Sequence, residues 1–465
     1  MLNSRHLRTF VSNGRIRGHD DYISLCLELV KEKTAGYSSI SEIRENLDRI
    51  NEYPNIDRLE APKGIHVYDE SGLTPSDRRK AARCIIEGKL FAEHMAAGEA
   101  TRLGLGTKYL INVAEDLDPA GIAAIMSGEN GNPASEKDVL KAAGCMPRDL
   151  LSISLGARHM LQHSFDIYNL SVEFGVDPCE VLSRQKMLIV LNEGSAEKII
   201  QNFQDWNFFG FSKKNVLFMI QEAYHGIVIE NDRYRYATES YRRLHNHGQI
   251  LLQQIMDHQI FRVNRNSDRS YLSADDFEDL LSGMEDKIVY NIEDLGFLTG
   301  SIDLGVLALA LEKGEQGYRM LMEIVANDPD YPLKGGMAAF DSNLEKNVMI
   351  ESFQLRGIEN SAITFLNKNF NHYPRPLESF QSVREQGLNM PVAVKDNHLY
   401  FQPVQGDINF LVRTEFFQRK HVKPILTWKS AANTPLAIRE MKRQDEQPGF
   451  SEYAGRFNVE KYKGL

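Results

Sequence analysis

Three short apolar runs constrain what this chain can become. Residues 187–191 (MLIVL), 216–220 (VLFMI) and 287–292 (KIVYNI) are continuous rather than alternating, and helix-length sequence lies between them. A strand that is apolar on both faces must be covered on both, so these runs read as buried strands of a mostly parallel sheet flanked by helices. Strand-helix alternation of that kind defines the α/β class. Residues 89–95 are expected as a further strand, 138–182 as helical and 195–206 as the helix after the run at 187–191. The first part, to about residue 90, reads as mainly helical: 22–32 and 40–50 have apolar residues at helical spacing, and Thr74-Pro75-Ser76-Asp77 opens another helix with Thr74 or Ser76 as its cap. Past Gly314, strands are expected at 319–325, 337–341, 348–353 and 361–366 as antiparallel additions, then extended pieces at 391–395 and 399–404, a helical segment and a polar C-terminus. The expected organisation is a helical N-terminal region (1–88), an α/β core (89–375) and a small C-terminal α+β extension (376–465).

With 465 residues, 42% of them hydrophobic, the chain can bury a large core without staples. No apolar run is long enough to span a bilayer, and the basic N-terminus lacks the apolar stretch of a secretory signal, so a cytoplasmic protein without membrane contact is expected. Cys26, Cys84, Cys145 and Cys179 are widely spread and form no CxxC pair, which argues for reduced thiols against a zinc site or a disulfide framework. A net charge of -10 disfavours broad nucleic-acid binding. The basic and aromatic residues interleaved over 233–243 are read as a solvated helix or loop.

In an open parallel sheet, ligands bind beyond the carboxyl ends of the strands. Five places collect polar residues there: the small-residue loop from Ala97 to Lys108, Asn192 with Glu193, Gln221, the Asn246-His247-Gly248 turn, and Glu293-Asp294. Small residues let a backbone approach phosphate closely, and Arg102 and Lys108 supply charge. Adjacent carboxylates suit a hard divalent cation, although a solvated acidic turn has the same pattern.

The order of these segments resembles the eukaryotic-type UDP-sugar pyrophosphorylases over roughly residues 89–413. Ala97-Gly98-Glu99-Ala100-Thr101-Arg102-Leu103-Gly104 with Lys108 is similar to that family's G-G-x-G-T-R-L-G and lysine. Asn207-Phe208-Phe209-Gly210-Phe211 followed by 216–221 is similar to its N-Y-F-G-L and V-x-F-F-x-Q, and His247-Gly248 to its G-H-G turn. Asn291-Ile292-Glu293-Asp294-Leu295-Gly296 with Asp303 resembles N-x-D-N-L-G-A-T-V-D, Lys334-Gly335-Gly336 resembles D-x-K-G-G, and 365–369 resembles F-N-T-N-N. The resemblance implies a mixed, mostly parallel nucleotidyltransferase sheet, Rossmann-like and GT-A-like. It implies phosphates on the backbone of Ala97, Gly98, Glu99, Ala100 and Thr101 and on the side chains of Arg102 and Lys108. Uracil would lie on Gln221, with Asn192, His247 and Gly248 around the nucleotide, and Mg2+ on Glu293 and Asp294. Sugar hydroxyls would face Lys334, Gly335, Glu351, Asn367 and Asn369. The implied reaction joins UTP and a sugar 1-phosphate into a UDP-sugar, releasing pyrophosphate.

Several positions depart from the pattern. Ala97 and Ala100 replace glycines, Gln249 replaces an acidic residue or glycine, and Glu293-Asp294 replaces D-N. Residues 400–408 resemble R-F-x-P-V-K-x-T-S-D-L, shortened, with Gln405 where the lysine is expected. A neutral amide cannot replace a full charge beside phosphate. Activity is therefore expected to be reduced, rerouted to a cation such as Lys395 or Lys423, or absent. The alternatives are a non-catalytic nucleotide or nucleotide-sugar binding protein of the same fold and a GT-A-type glycosyltransferase.

Overall fold

In the computed structural model, which describes residues 16–98, 104–130, 133–231, 233–264, 268–328, 332, 335–423 and 426–457, the apolar runs become neighbouring strands. Strands β1 (His66–Tyr68), β2 (Leu90–Met95), β3 (Lys186–Asn192), β4 (Val216–Gln221), β5 (Ile260–Val263), β6 (Arg269–Tyr271), β7 (Asp286–Asn291), β8 (Met320–Ala326), β9 (Phe365–Pro374) and β10 (Thr414–Arg419) lie in one mixed sheet. Their order is β6-β5-β4-β3-β2-β7-β9-β8-β10-β1. β4, β3, β2 and β7 are parallel neighbours, β9 runs antiparallel between β7 and β8, and β10 and β1 continue parallel beyond β8. A hairpin of Met337–Asp341 and Lys346–Ile350 attaches to β9 at Leu366.

Alternation of side chains along each strand divides the core in two. Met187, Ile189 and Leu191 of β3 join one buried cluster with Leu90, Val216, Phe218 and Ile288, while Leu188 and Val190 join the other with Phe91, Leu217, Met219 and Val289. Five helices matter for the site: α1 (His19–Lys33), α2 (Leu155–Glu173), α3 (Gly248–Gln254), α4 (Leu304–Glu315) and α5 (Thr434–Asp445). Residues of α2, α4 and α5 pack in the first cluster and those of α1 and α3 in the second, so both faces are covered. Each fully buried aliphatic side chain contributes about 1.5–3 kcal/mol, which is why a continuous apolar strand needs both layers.

Thr74 is the cap of the helix Pro75–Ile86: its Oγ1 accepts from the Asp77 N–H at 3.2 Å while the Asp77 carboxylate accepts from the Thr74 N–H at 3.3 Å. All four cysteines are free thiols, with Cys26 and Cys84 buried. No helix among the described residues is long and apolar enough to cross a membrane.

Four expectations need correction. The helix at 40–50 is two, Ile40–Glu45 and Leu47–Ile50, broken where the Asn46 amide donates to the Glu42 carbonyl at 2.8 Å. The strand placed at 348–353 is Lys346–Ile350, and the one placed at 361–366 is β9, which starts later and runs to Pro374 in the middle of the sheet. The stretch 233–243, read as helix or loop, contains the strand Arg233–Tyr236, paired antiparallel with Ile227–Glu230 in a small sheet with Val392–Lys395 and His398–Phe401. Its Arg235, Arg242 and Arg243 each meet a carboxylate: Glu230, Glu193 and Asp396 respectively. β10 was not foreseen. Strand pairing also crosses both expected domain boundaries, since β1 and β10 come from the flanking regions and extend the core sheet.

Candidate active site

Strand register sets the edge on which the polar residues gather. Asn291 lies opposite Met95, Met95 opposite Val190, and Asn192 opposite Gln221, so the carboxyl ends of β7, β2, β3 and β4 are level. Because β9 is antiparallel to β7, its beginning, with Asn367 and Lys368, lies beyond the end of β7 on the same edge. The loops and turns leaving these strands assemble the site.

The small-residue loop leaves β2 and returns at Lys108, where the Lys108 N–H donates to the Gly98 carbonyl at 3.1 Å. Glu99, Ala100, Thr101 and Arg102 lie outside the described residues, as does Lys334. At the start of the loop the Asn192 amide donates to the Ala97 carbonyl at 2.9 Å, while its Oδ1 accepts from the N–H and hydroxyl of Ser195 at 2.9 and 2.8 Å. Asn192 thus braces the loop against β3. Gln221 is buried, and its Nε2 donates to the Asn246 carbonyl at 2.8 Å. No hydrogen bond reaches its carbonyl oxygen among the described residues, and that oxygen suits a ring N–H donor.

Gly248 owes its identity to a close approach. A Cβ there would lie 2.5 Å from the Pro403 carbonyl carbon and the Val404 nitrogen, and the Gly248 N–H donates to the Pro403 carbonyl at 3.0 Å. The beginning of α3 therefore rests on the 403–404 backbone. Beside it, His247 is solvent-accessible yet closely surrounded by protein, and that desolvation, with the ammonium of Lys429 nearby, lowers its pKa to about 4. The neutral ring accepts a hydrogen bond at Nδ1 from the Gln405 N–H at 3.1 Å.

Glu293 is the charged centre of the edge. Lys108 Nζ lies 2.7 Å from its Oε2 and Lys429 Nζ lies 3.2 Å from its Oε1, so one carboxylate bridges two ammonium groups. Asp294 caps the turn Leu295–Thr299 by accepting from the Gly296 N–H at 3.0 Å, and its desolvation pushes its pKa up to about 6. Lys368 is paired with Glu323 at 2.6 Å, and Arg419 meets the same carboxylate at 3.0 Å.

On the sugar side, the Asn367 N–H donates to the Gly336 carbonyl at 3.1 Å. Cβ atoms at Gly336 and Gly406 would lie 3.4 and 3.9 Å from Glu351 Oε1, which places both glycines against that carboxylate. Burial raises the Glu351 pKa. Gly336, Glu351 and Asn367 are thus brought together, Gly335 precedes Gly336 against Leu366, and Asn369 belongs to the same strand as Asn367. The short helix Gln405–Phe410 joins the two halves: Gln405 touches His247 while Gly406 faces Glu351.

Gln405 itself is turned into the core. Its amide approaches the buried Glu93 Oε1 at 3.4 Å, where Lys287 Nζ at 3.0 Å and the Gln254 amide at 2.9 Å already hold Oε2. Neither cation expected as a substitute is directed to Glu293. Lys423 meets Glu70 and Asp303 at 3.0 and 3.2 Å, and Lys395 is the exposed last residue of a half-buried strand of the small sheet. Sequence reasoning missed Lys429, whose only signal was its place after Trp428, one of two tryptophans in the chain. It also missed Asp407, a buried carboxyl whose pKa is driven well up by burial and then by Glu351.

Magnesium normally keeps one or two carboxylates and takes its other ligands from phosphate and water. Among the described residues there is no group of three or more His, Cys, Asp and Glu side chains that could hold a metal ion alone. Glu293 nonetheless fits the single-carboxylate pattern, since its two oxygens already balance two cations that a bound polyphosphate would draw away.

No protein-family profile matches the chain, and no curated protein matches its sequence. Its structure is similar to that of UDP-N-acetylglucosamine pyrophosphorylase from Trypanosoma brucei in complex with an inhibitor, at 14% identity and a TM-score of 0.56, covering 95% of this chain and 82% of that one. It is likewise similar to a variant of UDP-glucose pyrophosphorylase from Leishmania major in complex with UDP-glucose, at 13% identity and a TM-score of 0.56, covering 94% of this chain and 78% of that one. At such identity the likeness is one of fold, and the fold of this chain is that of the UDP-sugar pyrophosphorylases.

Proposed function

We propose that the chain is a uridylyltransferase that joins UTP and a sugar 1-phosphate into a UDP-sugar. The observation that carries this reading is the meeting, across Gln405 and Gly406, of a cationic edge (Lys108, Glu293, Lys429) with a hydroxyl-binding corner (Gly336, Glu351, Asn367) in a fold of this kind. A phosphate oxygen of the sugar phosphate attacks the α-phosphorus in line, the bond to the β-phosphate oxygen breaks, and pyrophosphate leaves. The attacking group is already ionised at neutral pH, so no general base is required. Positioning and charge neutralisation then do most of the work.

Gln221 would accept the uracil ring N–H, and the backbone from Ala97 to Thr101 with Arg102 and Lys108 would line the phosphates. Magnesium held by Glu293 would supply neutralisation of the charge developing on the departing phosphates, with Asp294 orienting the turn behind it. Lys334, Gly335, Glu351, Asn367 and Asn369 would direct the sugar hydroxyls. Incubating the protein with UTP, magnesium and a panel of sugar 1-phosphates should release pyrophosphate with at least one of them.

One observation favours a second reading. Gln405 brings no charge to the site and spends its amide on Glu93. A protein that binds UTP or a UDP-sugar without releasing pyrophosphate would be a nucleotide-sugar sensor. Transfer of sugar from a UDP-sugar to an acceptor, without pyrophosphate exchange, would instead identify a glycosyltransferase.

A further inference from the structure

Lys429 belongs to none of the segments that carry the family resemblance, yet the fold delivers it to the end of β7. Residues 426–428 lie antiparallel to 293–295 as a strap. The Leu295 N–H donates to the Leu426 carbonyl at 2.9 Å, the Trp428 N–H donates to the Glu293 carbonyl at 2.9 Å, and Asp294 and Thr427 form the bridge between them. Trp428 anchors the strap: its ring is fully buried and its indole N–H donates to Thr434 Oγ1 at 3.1 Å. The backbone leading into the next residue, Lys429, is thereby held at the edge. Its ammonium lies 3.2 Å from Glu293 and acts electrostatically on His247, while its side chain remains 52% exposed.

That exposure separates Lys429 from a purely structural ion pair. A half-exposed pair adds little to stability, so the pairing with Glu293 does not by itself account for anchoring a tryptophan to hold the lysine in place. Two ammonium groups share one carboxylate at this strand edge. The inner position at Gln405 contributes none.

We propose that Lys429 is a polyphosphate-binding residue that, with Lys108, neutralises the charge of the nucleotide's phosphates in place of a cation at position 405. The inference rests on the uridylyltransferase reading for the identity of the nucleotide, but its own content is recognition of a diphosphate or triphosphate group. Lys429 turns from Glu293 to phosphate when the ligand arrives, and Glu293 is released for magnesium.

Titration calorimetry with magnesium pyrophosphate, magnesium UTP and UMP tests this on the full chain. Lys429→Ala should weaken pyrophosphate and UTP about tenfold or more, as loss of a charge-assisted contact does, while leaving UMP within about threefold. Lys429→Arg should restore most of the loss. Lys423→Ala, equally exposed but paired elsewhere, should change nothing. The thermal midpoints of all three variants should match that of the parent, which separates binding from folding. Pyrophosphate bound equally by parent and Lys429→Ala, or by neither, overturns the inference. Lys429-dependent pyrophosphate binding by a protein that ignores UTP and UMP would overturn the uridine reading and leave this one standing.

Discussion

Replacing His159 by phenylalanine should remove an acid-sensitive element from the core. His159 on α2 is fully buried, stacks on His94 at 5.4 Å and Phe297 at 5.1 Å, and neither ring nitrogen has a hydrogen-bond partner. Burial alone lowers its pKa from 6.5 to about 3. The folded state therefore holds a neutral ring where the unfolded chain takes up a proton below pH 6.5. Its stability is fully present above pH 6.5 and is lost progressively as pH falls towards 3. At pH 5 the unfolded chain gains about 2 kcal/mol from that proton, and at pH 7.5 almost nothing. His159→Phe cannot gain it. Whatever constant offset the larger ring introduces, the variant should become about 2 kcal/mol more stable relative to the parent between pH 7.5 and pH 5. Urea unfolding at the two pH values, followed by fluorescence of the buried Trp206 and Trp428, measures this difference of differences. Taking the difference also removes the opposing effect of buried carboxyls such as Asp407, present in both proteins. A stability difference that stays constant from pH 7.5 to pH 5 would refute a buried neutral histidine at this position.

Three further perturbations probe the site. Glu293→Gln deprives Lys108 and Lys429 of their common counter-ion, so pyrophosphate without magnesium should bind about tenfold more tightly while UDP-sugar formation drops; weaker binding in calorimetry would mean that Glu293 chiefly positions the lysines. Gly248→Ala drives a methyl into the backbone at Pro403 and Val404, which cannot withdraw as a side chain can. It should cost about 1–3 kcal/mol in urea unfolding, and an unchanged midpoint would contradict the packing described. Chelation of magnesium should abolish pyrophosphate release but leave the thermal midpoint of the ligand-free protein unchanged, since Glu293 is already neutralised by lysines; a fall in the midpoint would reveal a structural metal.

The parts of the fold legible in the sequence were those where burial is uniform. β3 and β4 are apolar between their ends, and β7 over 288–290, because the sheet is covered on both faces, and polar residues follow at their carboxyl ends. β10 was illegible for the opposite reason. Its Phe416 and Phe417 are flanked by charges that look exposed, yet Glu415 meets Lys313 at 2.7 Å and Arg419 meets Glu323, so both are satisfied inside the protein. β9 hid its centre behind polar residues in the same way, with His372 Nδ1 at 2.5 Å from the Asp286 carboxylate. The period of two in Arg233-Tyr234-Arg235-Tyr236 was a legible strand signal, passed over for its charge. Within the candidate site, local motifs pointed to Lys108, Gln221, Glu293 and Glu351, of which the structure pairs Lys108 with Glu293. Only tertiary structure brings Lys429 to Glu293, because no local spacing encodes a strap more than a hundred residues distant in sequence.

The pairing of β10 with β1 has a consequence for how the protein is made. Among the described residues, β1 has no sheet neighbour other than β10, although β2 to β9 all lie between them in sequence. During synthesis β2, β3, β4 and β7 can assemble as they emerge, but β1 must wait with its hydrogen-bonding groups unpaired until residues 414–419 leave the ribosome. The strap and Lys429 follow later still. A nascent chain would thus present an unfinished sheet edge until residues 414–419 emerge, open to capture by a chaperone or by another copy.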